Sequence, residues 1–429
     1  MENSERLGVG IVGAGFMANF HVTSWTGVRD ADVVAVHSPR AESAQALADR
    51  CRELRVGDAR AYTELPELVR DPRVDAVWVV APNHARLAVV ETIAGEVTSG
   101  RASLVGVAVE KPLGRDLAEA RRVLELVEGA GLRHAYLENQ VYAPALTRGH
   151  ELLWARGAAP AGTPYLARCA EEHSGPHAAW FWDGTRQGGG VLSDMMCHSI
   201  EAGRYLLTPP GADQSDWLTP VSVSAQIASL KWSRKRHAAQ LTERFGGAVD
   251  YTRRPAEDYA HATIMFRNGD GDEAVVEATT SWSYVGPGLR LTFELLGPEY
   301  SMSASTLSTE AQLFLSREIR SPEAEDLVEK QGAEQGLLPI VSDEALTYGY
   351  TTENRAVTAD FLAGRQPRES LKHGVEVSEL MMAAYLSAET GETVRFPVAN
   401  LDTFVPQVAQ GTWRPGVSET VVHRGGGSS

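Results

Sequence analysis

The stretch LGVGIVGAGFMA, residues 7–18, decides the fold at the start of the chain. An apolar run leads directly into the pattern G-x-G-x-x-A, whose glycines are Gly13 and Gly15. The first glycine permits a tight turn, the second lets a pyrophosphate approach the backbone, and the last small residue lets helix and strand pack closely. The N-terminus of the following helix offers free N–H groups to a phosphate. Although a glycine-rich turn can serve packing alone, this context predicts a dinucleotide site that also includes Phe16 and Met17.

Apolar runs and helical patterns alternate through the first third of the chain. The apolar runs are Leu7–Val12, Val33–Val36, Ala76–Val80 and Leu104–Val109. The helical patterns are Phe16–Trp25, Ala41–Arg52, Leu87–Glu96 and Leu117–Ala130. Continuous apolar strands separated by helices are typical of a parallel sheet that is covered on both faces. We therefore expect a nucleotide-binding α/β domain over residues 1–140.

The remaining chain predicts a second α/β domain over residues 141–416. Its strand-like segments are Val221–Leu230, Ala260–Phe266, Ala274–Trp282 and Leu289–Leu296. Its helical segments are Ile200–Leu207, Thr352–Leu362 and Gly374–Ala388. Alternating polarity and glycine-bearing turns indicate a mostly antiparallel sheet. Residues 417–429 end in Arg-Gly-Gly-Gly-Ser-Ser and are predicted to be a flexible tail.

The composition disfavours several classes of protein. The 429 residues carry 40 Lys and Arg against 56 Asp and Glu, and the net charge of −16 disfavours binding to nucleic acid or to an anionic membrane surface. Three scattered cysteines without a CxxC pair argue against a disulfide framework and a zinc knuckle. The polar start predicts no signal peptide, and no apolar stretch approaches the roughly 20 residues that span a bilayer. We expect a cytoplasmic enzyme or ligand-binding protein.

The end of the second apolar run concerns the ribose of the cofactor. An acid at this place binds the 2′-hydroxyl of NAD, whereas a basic residue accommodates the 2′-phosphate of NADP. Here the run ends in His37-Ser38-Pro39-Arg40, which contains no acid. Ser38 and Arg40 are candidates to surround a 2′-phosphate, although Arg40 can equally be a solvated charge. The cofactor is predicted to be NAD or NADP, and Arg40 favours NADP.

The tripeptide Glu110-Lys111-Pro112 follows the fourth apolar run. Enzymes with parallel sheets bind ligands at the carboxyl ends of the strands, which places Lys111 beside a nicotinamide. Pro112 disfavours helix at the preceding residue and holds Lys111 extended. A lysine in this place can hydrogen-bond a substrate hydroxyl and stabilise its alkoxide as a hydride leaves. A surface lysine in a turn is the alternative.

Three glycines, Gly188-Gly189-Gly190, precede a helical run that contains Asp194 and His198. The four-residue spacing puts these two side chains one turn apart on one helix face. A carboxylate there can raise the pKa of the imidazole and fix its orientation, which suits His198 to proton transfer near neutral pH. A helix-start acid beside a partly buried histidine is the plain alternative. A metal site is disfavoured, because Cys197 is out of phase with that face and no second ligand cluster is evident.

An aromatic segment lies just upstream, at residues 171–183. Aromatic rings stack against the C–H faces of sugars, and histidines bind hydroxyl groups. The segment is therefore predicted to bind a carbohydrate through His173, His177, Trp180 and Trp182. The alternative is that the two tryptophans are core or interface residues.

A second segment, Lys231–His237, is basic on an otherwise acidic chain. Such a run is usually a solvated loop. The alternative is that it binds an anionic group of the substrate, such as a carboxylate, a phosphate or a sulfonate.

The glycine loop, the Glu-Lys-Pro element and the Asp194/His198 pair, in this order, resemble the glucose–fructose oxidoreductase / inositol dehydrogenase / MocA family. The resemblance covers nearly the whole chain and includes Ala81-Pro82-Asn83, Glu138-Asn139, Glu353–Ala356 and Ala384–Ser387. It implies a Rossmann domain, a C-terminal α/β domain with an open antiparallel sheet, NAD or NADP, and a homo-oligomer, either a dimer or a tetramer. The sequence departs from the family pattern at Ala81, Arg86 and Met195–Cys197.

The resemblance also implies the residues of the site. Lys111, Asp194 and His198 form the catalytic group, and Asp194 and His198 also bind the substrate. The cofactor-binding residues are Gly13, Gly15, Phe16, Met17, Ser38, Arg40, Pro82, Asn83, Glu110, Lys111 and Asn139.

Two reactions are compatible with these residues. In the first, a secondary carbinol of a sugar, glycoside or cyclitol loses a hydride to the nicotinamide while His198 or Lys111 takes the hydroxyl proton. The second is that of an NAD-dependent glycoside hydrolase, in which a transient ketone at C3 acidifies the C2 proton, the C1 group is eliminated, water adds and the hydride returns. An anionic glycoside would suit the basic segment. The motifs do not separate the two reactions, and we favour the dehydrogenase. A non-enzymatic nucleotide sensor is disfavoured, because it leaves Lys111, Asp194 and His198 unexplained together.

Overall fold

The structure is a computed structural model that describes residues 6–308, 311–315 and 336–415. The predicted tail over residues 417–429 lies outside the described residues. The strands are β1 (Leu7–Val12), β2 (Ala31–His37), β3 (Arg60–Tyr62), β4 (Ala76–Val79), β5 (Gly106–Glu110), β6 (Arg133–Leu137), β7 (Leu166–Glu172), β8 (Thr219–Ala228), β9 (Tyr259–Arg267), β10 (Glu273–Ser281), β11 (Arg290–Gly297), β12 (Tyr300–Ser305), β13 (Ala311–Leu315), β14 (Gly336–Ile340) and β15 (Val394–Arg395).

The helices connect these strands and cover their faces. They are α1 (Phe16–Ser24), α2 (Ala41–Glu53), α3 (Leu65–Val69), α4 (Asn83–Thr98), α5 (Leu117–Gly129), α6 (Pro144–Leu153), α7 (Ala159–Ala161), α8 (Gly184–Gln187), α9 (Val191–Leu207), α10 (Gln214–Trp217), α11 (Lys235–Arg244), α12 (Glu344–Thr347), α13 (Tyr350–Leu362), α14 (Leu371–Thr390) and α15 (Gln407–Gln410).

The first sheet is parallel and has the strand order β3-β2-β1-β4-β5-β6. Strands β1, β4 and β5 are buried at every position, as expected for strands covered on both faces. Strands β3 and β6 were not predicted from the sequence. The first has three residues and lies at the edge of the sheet, and the second begins with the polar pair Arg133-His134, so neither forms an apolar run.

The second sheet has the order β12-β11-β7-β10-β9-β8-β15 and is antiparallel except for the pair β7 and β10. This confirms the predicted α/β fold with its open, mostly antiparallel sheet. The central strand β7 was not predicted, because Leu166–Glu172 is rich in alanine and charge. Strand β9 alternates buried and half-buried positions, since helix α9 packs against one face of the sheet.

Helices α13 and α14, near the end of the described chain, pack against elements of its first half. Helix α14 packs against strand β8 and against helix α5, so it touches elements of both sheets. Helix α13 contributes Val357 and Phe361 to the core around the parallel sheet. Asn354, also on α13, accepts a hydrogen bond from Trp78 Nε1 at 2.9 Å and donates one to Ser24 at 2.7 Å. Among the described residues, no helix combines the length and apolarity needed to cross a bilayer.

Candidate active site

The phosphate loop has the backbone that its sequence predicts. Gly13 has a φ of +119°, and a Cβ at this position would lie 2.7 Å from the carbonyl oxygen of Val80, so only glycine fits. At Gly15 a Cβ would meet no atom of the described residues within 4 Å, because the space above the loop is open. Helix α1 begins at Phe16 without a side-chain cap or an acid in its first turn. Its free N–H groups and this open space fit a pyrophosphate.

The ribose-binding candidates lie at the end of strand β2. Ser38 is buried, and its hydroxyl accepts a hydrogen bond from the backbone N–H of Arg40 at 3.3 Å. The Arg40 side chain is exposed at the start of helix α2. This position leaves the guanidinium free to meet a 2′-phosphate, and the role of Arg40 stays a prediction.

Two asparagines that were predicted to bind the cofactor donate side-chain hydrogen bonds to main-chain carbonyls of the protein. Asn83 Nδ2, at the start of α4, donates to the carbonyl of Gln187 at 3.0 Å, beside the exposed Pro82. Asn139 Nδ2 donates to the carbonyl of Tyr348 at 2.6 Å. These contacts hold segments of the two halves of the chain together, and the cofactor-binding roles of Asn83 and Asn139 stay predictions.

Glu110 orients its neighbours and has both carboxylate oxygens engaged. Its Oε1 accepts from His21 Nε2 at 2.9 Å, and its Oε2 accepts from the backbone N–H of Lys111 at 2.9 Å. Burial alone would raise the pKa of Glu110, but the bond from His21 and the charges of Lys111 and Arg86 lower it below the ordinary value. The lowered pKa favours the ionised form of Glu110, which binds the backbone N–H of Lys111, and its cofactor-binding role stays a prediction.

Arg86 explains one departure from the family pattern. Its guanidinium is buried and donates to the main-chain carbonyls of Ala81, at 3.1 Å, and Pro112. It thereby joins the segments that follow strands β4 and β5. Burial lowers the pKa of Arg86 to about 10, and the charge of Glu110 opposes this shift. The residue supports the edge of the sheet where Lys111 lies.

Lys111 and Asp194 meet across the two halves of the chain. Lys111 Nζ donates to the main-chain oxygen of Asp194 at 3.0 Å and lies 3.6 Å from its Oδ1. Burial opposes a charge on Lys111, but the carboxylates of Asp194, Glu171 and Glu110 outweigh burial and raise its pKa above the ordinary value. The raised pKa favours the ammonium form of Lys111, which can donate a hydrogen bond to a substrate oxygen.

His198 has a different partner from the predicted one. Its Nδ1 is hydrogen-bonded to Oε1 of Glu138, which follows strand β6 directly, while Asp194 accepts from Trp282 Nε1 at 3.3 Å. Burial lowers the pKa of His198 to about 4, although Glu171 and Asp194 oppose the shift. Asp194 thus acts on this pKa in the expected direction, but burial outweighs it, and the hydrogen bond that orients the ring at Nδ1 comes from Glu138 instead of Asp194. His198 is a neutral imidazole at neutral pH.

Two acids at the site were missed by the sequence analysis. Glu138 is fully enclosed beside His198, and the Glu171 Oε2 lies 3.8 Å from the Nε2 of His198. Glu171 also accepts from Gln140 Nε2 at 2.7 Å. Both acids stand at the carboxyl end of a strand, β6 or β7, and neither strand was predicted. A correct strand assignment would have been the signal that identified them.

The thiol of Cys197 also belongs to this cluster. Its Sγ, a carboxylate oxygen of Glu138 and a ring nitrogen of His198 all lie within 4.8 Å of one another. Glu138 and His198 are already hydrogen-bonded to each other. Burial raises the pKa of the Cys197 thiol and of Glu138 well above their ordinary values, although the charge of Lys111 opposes both shifts. We interpret the group as a proton site, and the prediction of no metal site stays a prediction.

The aromatic segment divides into a core part and a part that faces the phosphate loop. Trp182 is enclosed by Trp232, Tyr251 and Trp282, with ring centroids 5.1 to 5.6 Å apart, so its predicted contact with a sugar is corrected to a core position. The His177 ring lies 4.4 Å from that of Phe16, at the start of helix α1.

The remaining predicted sugar-binding side chains are those of Trp180 and His173. The half-buried Trp180 ring lies 5.9 Å from that of His84, in the first turn of α4. His173 is buried, and its Nδ1 accepts from the N–H of Gly175 at 3.0 Å. Burial lowers the pKa of His173 to about 3, and the charge of Lys111 acts in the same direction. These two residues, with His177, keep their prediction as substrate-binding residues.

The basic segment is anchored by a buried acid. Asp258 accepts from the backbone N–H groups of Leu230, Lys231 and Trp232 at 2.6 to 3.0 Å. Trp232 Nε1 donates to the carbonyl of Trp282, the residue that contacts Asp194. The side chains that point to solvent are those of Arg234, Lys235 and Arg236. The segment is thus an exposed basic turn attached to the aromatic core behind the site.

Two family models, one for each domain, match the chain. Residues 7–137 match an oxidoreductase family with an NAD-binding Rossmann fold, and residues 159–303 match the GFO/IDH/MocA C-terminal domain. The levoglucosan dehydrogenase of Pseudarthrobacter phenanthrenivorans is 25% identical over 315 residues, which are 70% of this chain and 73% of that protein. The D-apiose dehydrogenase of Paraburkholderia graminis is 23% identical and covers 93% of this chain and 91% of its own.

Solved structures share the whole architecture. GenD2 from gentamicin A biosynthesis, in complex with NAD, has a TM-score of 0.70 and 28% identity, and the match covers 92% of this chain and 97% of that one. A levoglucosan dehydrogenase in complex with NADH and levoglucosan has a TM-score of 0.66 at 18% identity, with 92% and 100% covered, which shows the shared fold. The predicted family and nicotinamide cofactor are confirmed. The chain belongs to the GFO/IDH/MocA oxidoreductase family, and its N-terminal domain is an NAD-binding Rossmann domain.

Proposed function

We propose that the chain is an NAD-dependent dehydrogenase that oxidises a secondary hydroxyl of a sugar, glycoside or cyclitol, or reduces the corresponding ketone. The observation that carries this proposal is the contact between Lys111, at the carboxyl end of β5, and Asp194, on helix α9. It joins the edge of the nucleotide-binding sheet to the helix that bears His198. Relatives named as levoglucosan and D-apiose dehydrogenases support the substrate class.

The chemistry of each side chain follows from its protonation state. Gly13, Gly15 and the N-terminus of helix α1 would hold the pyrophosphate of NAD⁺, which would supply the hydride acceptor for the carbinol carbon. Lys111, held as an ammonium by Asp194, donates a hydrogen bond to the reacting oxygen and stabilises developing negative charge. His198 is neutral and takes the hydroxyl proton. Trp282 and Lys111 both bind Asp194 and thus fix the position of its carboxylate.

Substrate specificity belongs to the residues around this centre. We propose that His173, His177 and Trp180 contact the sugar, and that the exposed Arg234 and Lys235 meet an anionic substituent where one is present. The domain limits at residues 140 and 416, the cytoplasmic location and the homo-oligomer are part of the same proposal. The two sheets support the first limit, since one ends at Leu137 and the other begins at Leu166.

The test is a substrate panel with the full-length protein and NAD⁺ in deuterated water. It contains levoglucosan, D-apiose, myo-inositol and neutral and carboxylated glycosides. We expect reduced cofactor to accumulate in step with a ketone, without deuterium at C2. Released sugar that carries deuterium at C2, without net reduced cofactor, would replace the dehydrogenase by the redox-neutral glycoside hydrolase. No turnover of any compound in this panel, despite bound NAD, would overturn the proposal.

A further inference from the structure

Glu138 and His198 form a buried pair that the reaction as described above uses only in part. Oε1 of Glu138 is hydrogen-bonded to Nδ1 of His198, although sixty residues separate the two in sequence. Glu138 is 0% exposed and His198 is 3% exposed, so water does not solvate a charge on either group. Oε2 of Glu138 has no hydrogen-bond partner among the described residues. The backbone N–H of Gln140 favours a negative charge on this carboxyl, but its effect is smaller than that of burial.

The charged and titratable groups around the pair come from every neighbouring element. They are Glu110 and Lys111 at the end of β5, Glu171 on β7, Asp194 and Cys197 on α9, Glu353 on α13, and Glu369 before α14. One ammonium thus faces an excess of carboxyl groups. A further buried carboxylate is costly in such surroundings, and so is an isolated imidazolium.

Both members of the pair are driven towards their neutral forms. Burial raises the pKa of Glu138 well above that of an ordinary carboxyl, and the opposing charge of Lys111 does not cancel it. Burial also lowers the pKa of His198. An acid and an imidazole that are both neutral share one proton along the Glu138–His198 hydrogen bond. In that form the ring proton is on Nε2. The pair can accept a proton from outside only after it has lost this one, because Nε2 must carry a lone pair.

We propose that Glu138 and His198 act as one proton-holding unit, in which Glu138 receives the Nδ1 proton when Nε2 takes the substrate hydroxyl proton. The inference rests on the proposed function. The O–H bond of the substrate breaks as Nε2–H forms, and Nδ1–H breaks as Oε1–H of Glu138 forms. The carbinol hydride leaves with its electron pair for NAD⁺, so the alcohol becomes a ketone. His198 thereby accepts a proton without becoming a buried cation.

The arrangement has a defined pH dependence. Oxidation requires the unit without its extra proton, since Nε2 must carry a lone pair. The rate of oxidation therefore rises with pH until the unit is fully deprotonated, and ketone reduction falls over the same range. With Gln at position 138 the amide still hydrogen-bonds the ring but cannot take a proton. His198 then titrates alone with its lowered pKa, so the rise is lost and the rate is low at all pH values.

The first experiment reads the ring directly and needs neither cofactor nor substrate. Nitrogen NMR of ring-labelled histidine follows the full-length protein as the pH is raised, and His198→Gln identifies the signals of His198. We expect the His198 ring to change from the Nε2–H to the Nδ1–H tautomer. Glu138→Gln should abolish this change. The control Glu257→Gln removes another buried carboxyl, which binds the start of helix α9 and not His198, and it should keep the change.

The second experiment measures turnover against pH. Glu138→Gln should lower kcat on the order of 10²-fold at high pH and flatten the pH profile, a change that a loss of packing does not produce. Wild-type protein whose His198 ring keeps one tautomer throughout would overturn the inference, and so would Glu138→Gln protein with an unaltered profile. A tautomer change without turnover of any polyol would remove the proposed function and leave the proton-holding unit in place. Turnover without a tautomer change would remove the proton-holding unit and leave the proposed function in place.

Discussion

Lys111 and Asp194 are joined by a hydrogen bond of 3.0 Å, from the Nζ of the first to the main-chain oxygen of the second. The two residues are eighty-three positions apart, Lys111 directly after strand β5 and Asp194 on helix α9, yet the carboxylate of Asp194 raises the pKa of Lys111. In the proposed reaction Lys111 is accordingly the hydrogen-bond donor and His198 the group that receives a proton. Because the proposed roles of these side chains differ, each side chain has its own prediction.

Loss of either proton-handling group should impair turnover more than cofactor binding. Lys111→Met and His198→Ala should each lower kcat on the order of 10²–10⁴-fold, and Asp194→Asn should have an intermediate effect because it keeps a hydrogen-bond partner and loses the charge. Steady-state kinetics with calorimetry of NAD binding measures both. Lys372→Met, an exposed lysine on helix α14, is the matched control. Near-normal turnover in both Lys111→Met and His198→Ala would disprove the assignment.

Substitution of Gly15 should block the cofactor while the protein stays folded. Its backbone, with φ −88° and ψ −165°, accepts any residue, and an added Cβ meets no described protein atom within 4 Å. Gly15→Val should therefore fill the space of the pyrophosphate and abolish NAD binding in calorimetry. Gly95→Ala adds a methyl group in equally open space within helix α4 and should leave the affinity unchanged. Undiminished NAD binding by Gly15→Val would remove the phosphate-loop assignment.

Arg40 should discriminate between the two nicotinamide cofactors if it meets a 2′-phosphate. Its side chain is exposed at the end of strand β2, where it is free to form a charged hydrogen bond. Arg40→Ala should weaken NADP binding by roughly 1–3 kcal/mol and leave NAD unchanged. The control is Arg29→Ala, which removes an exposed arginine before strand β2. Equal effects of Arg40→Ala on NAD and NADP, or none, would make Arg40 a bystander.

The indole of Trp282 should matter through its N–H group. Trp282 Nε1 donates to the carboxylate of Asp194 at 3.3 Å inside the aromatic core. Trp282→Phe keeps an aromatic ring and loses this charged hydrogen bond, so kcat should fall about tenfold, corresponding to about 1.4 kcal/mol. Trp182→Phe alters the same cluster without touching Asp194. It should lower the free energy of unfolding and leave kcat close to that of the wild type. Equal kcat values for the two variants would contradict the role of the N–H group.

Glu257 should make stability depend on pH. Its pKa is raised from 4.5 to about 7 by burial, although the bonds from Tyr385, Gly190 and Leu192 oppose the shift. The native state therefore binds an extra proton between these values, and the contribution of Glu257 to the free energy of unfolding falls as the pH rises through this window. Because Gln does not titrate, Glu257→Gln should gain stability relative to wild type over the same window.

Urea unfolding of both proteins at a series of pH values measures this difference. The control is Glu125→Gln, which changes an exposed acid on helix α5. A constant difference in the free energy of unfolding between wild type and Glu257→Gln from pH 4.5 to about 7 would contradict the prediction.

The sequence by itself determined the features that are local. The glycine loop, Lys111 at the end of an apolar strand and the i, i+4 pair of Asp194 and His198 each depend on residues that are neighbours in the chain. Spacing alone reports such patterns, because a strand or a helix fixes the direction of consecutive side chains. The family and its cofactor followed from the order of these motifs and were confirmed.

Tertiary structure decided which side chains contact one another and which of them carry charge. Glu138 reaches His198 across sixty positions, Asp194 turns to Lys111, and Trp182 lies in the core instead of at a sugar. Burial also reverses the expected pKa shift of His198. No pattern of spacing predicts these outcomes, because the pKa and the accessibility of a side chain depend on everything packed around it, and the packed groups come from strands and helices far apart in the chain.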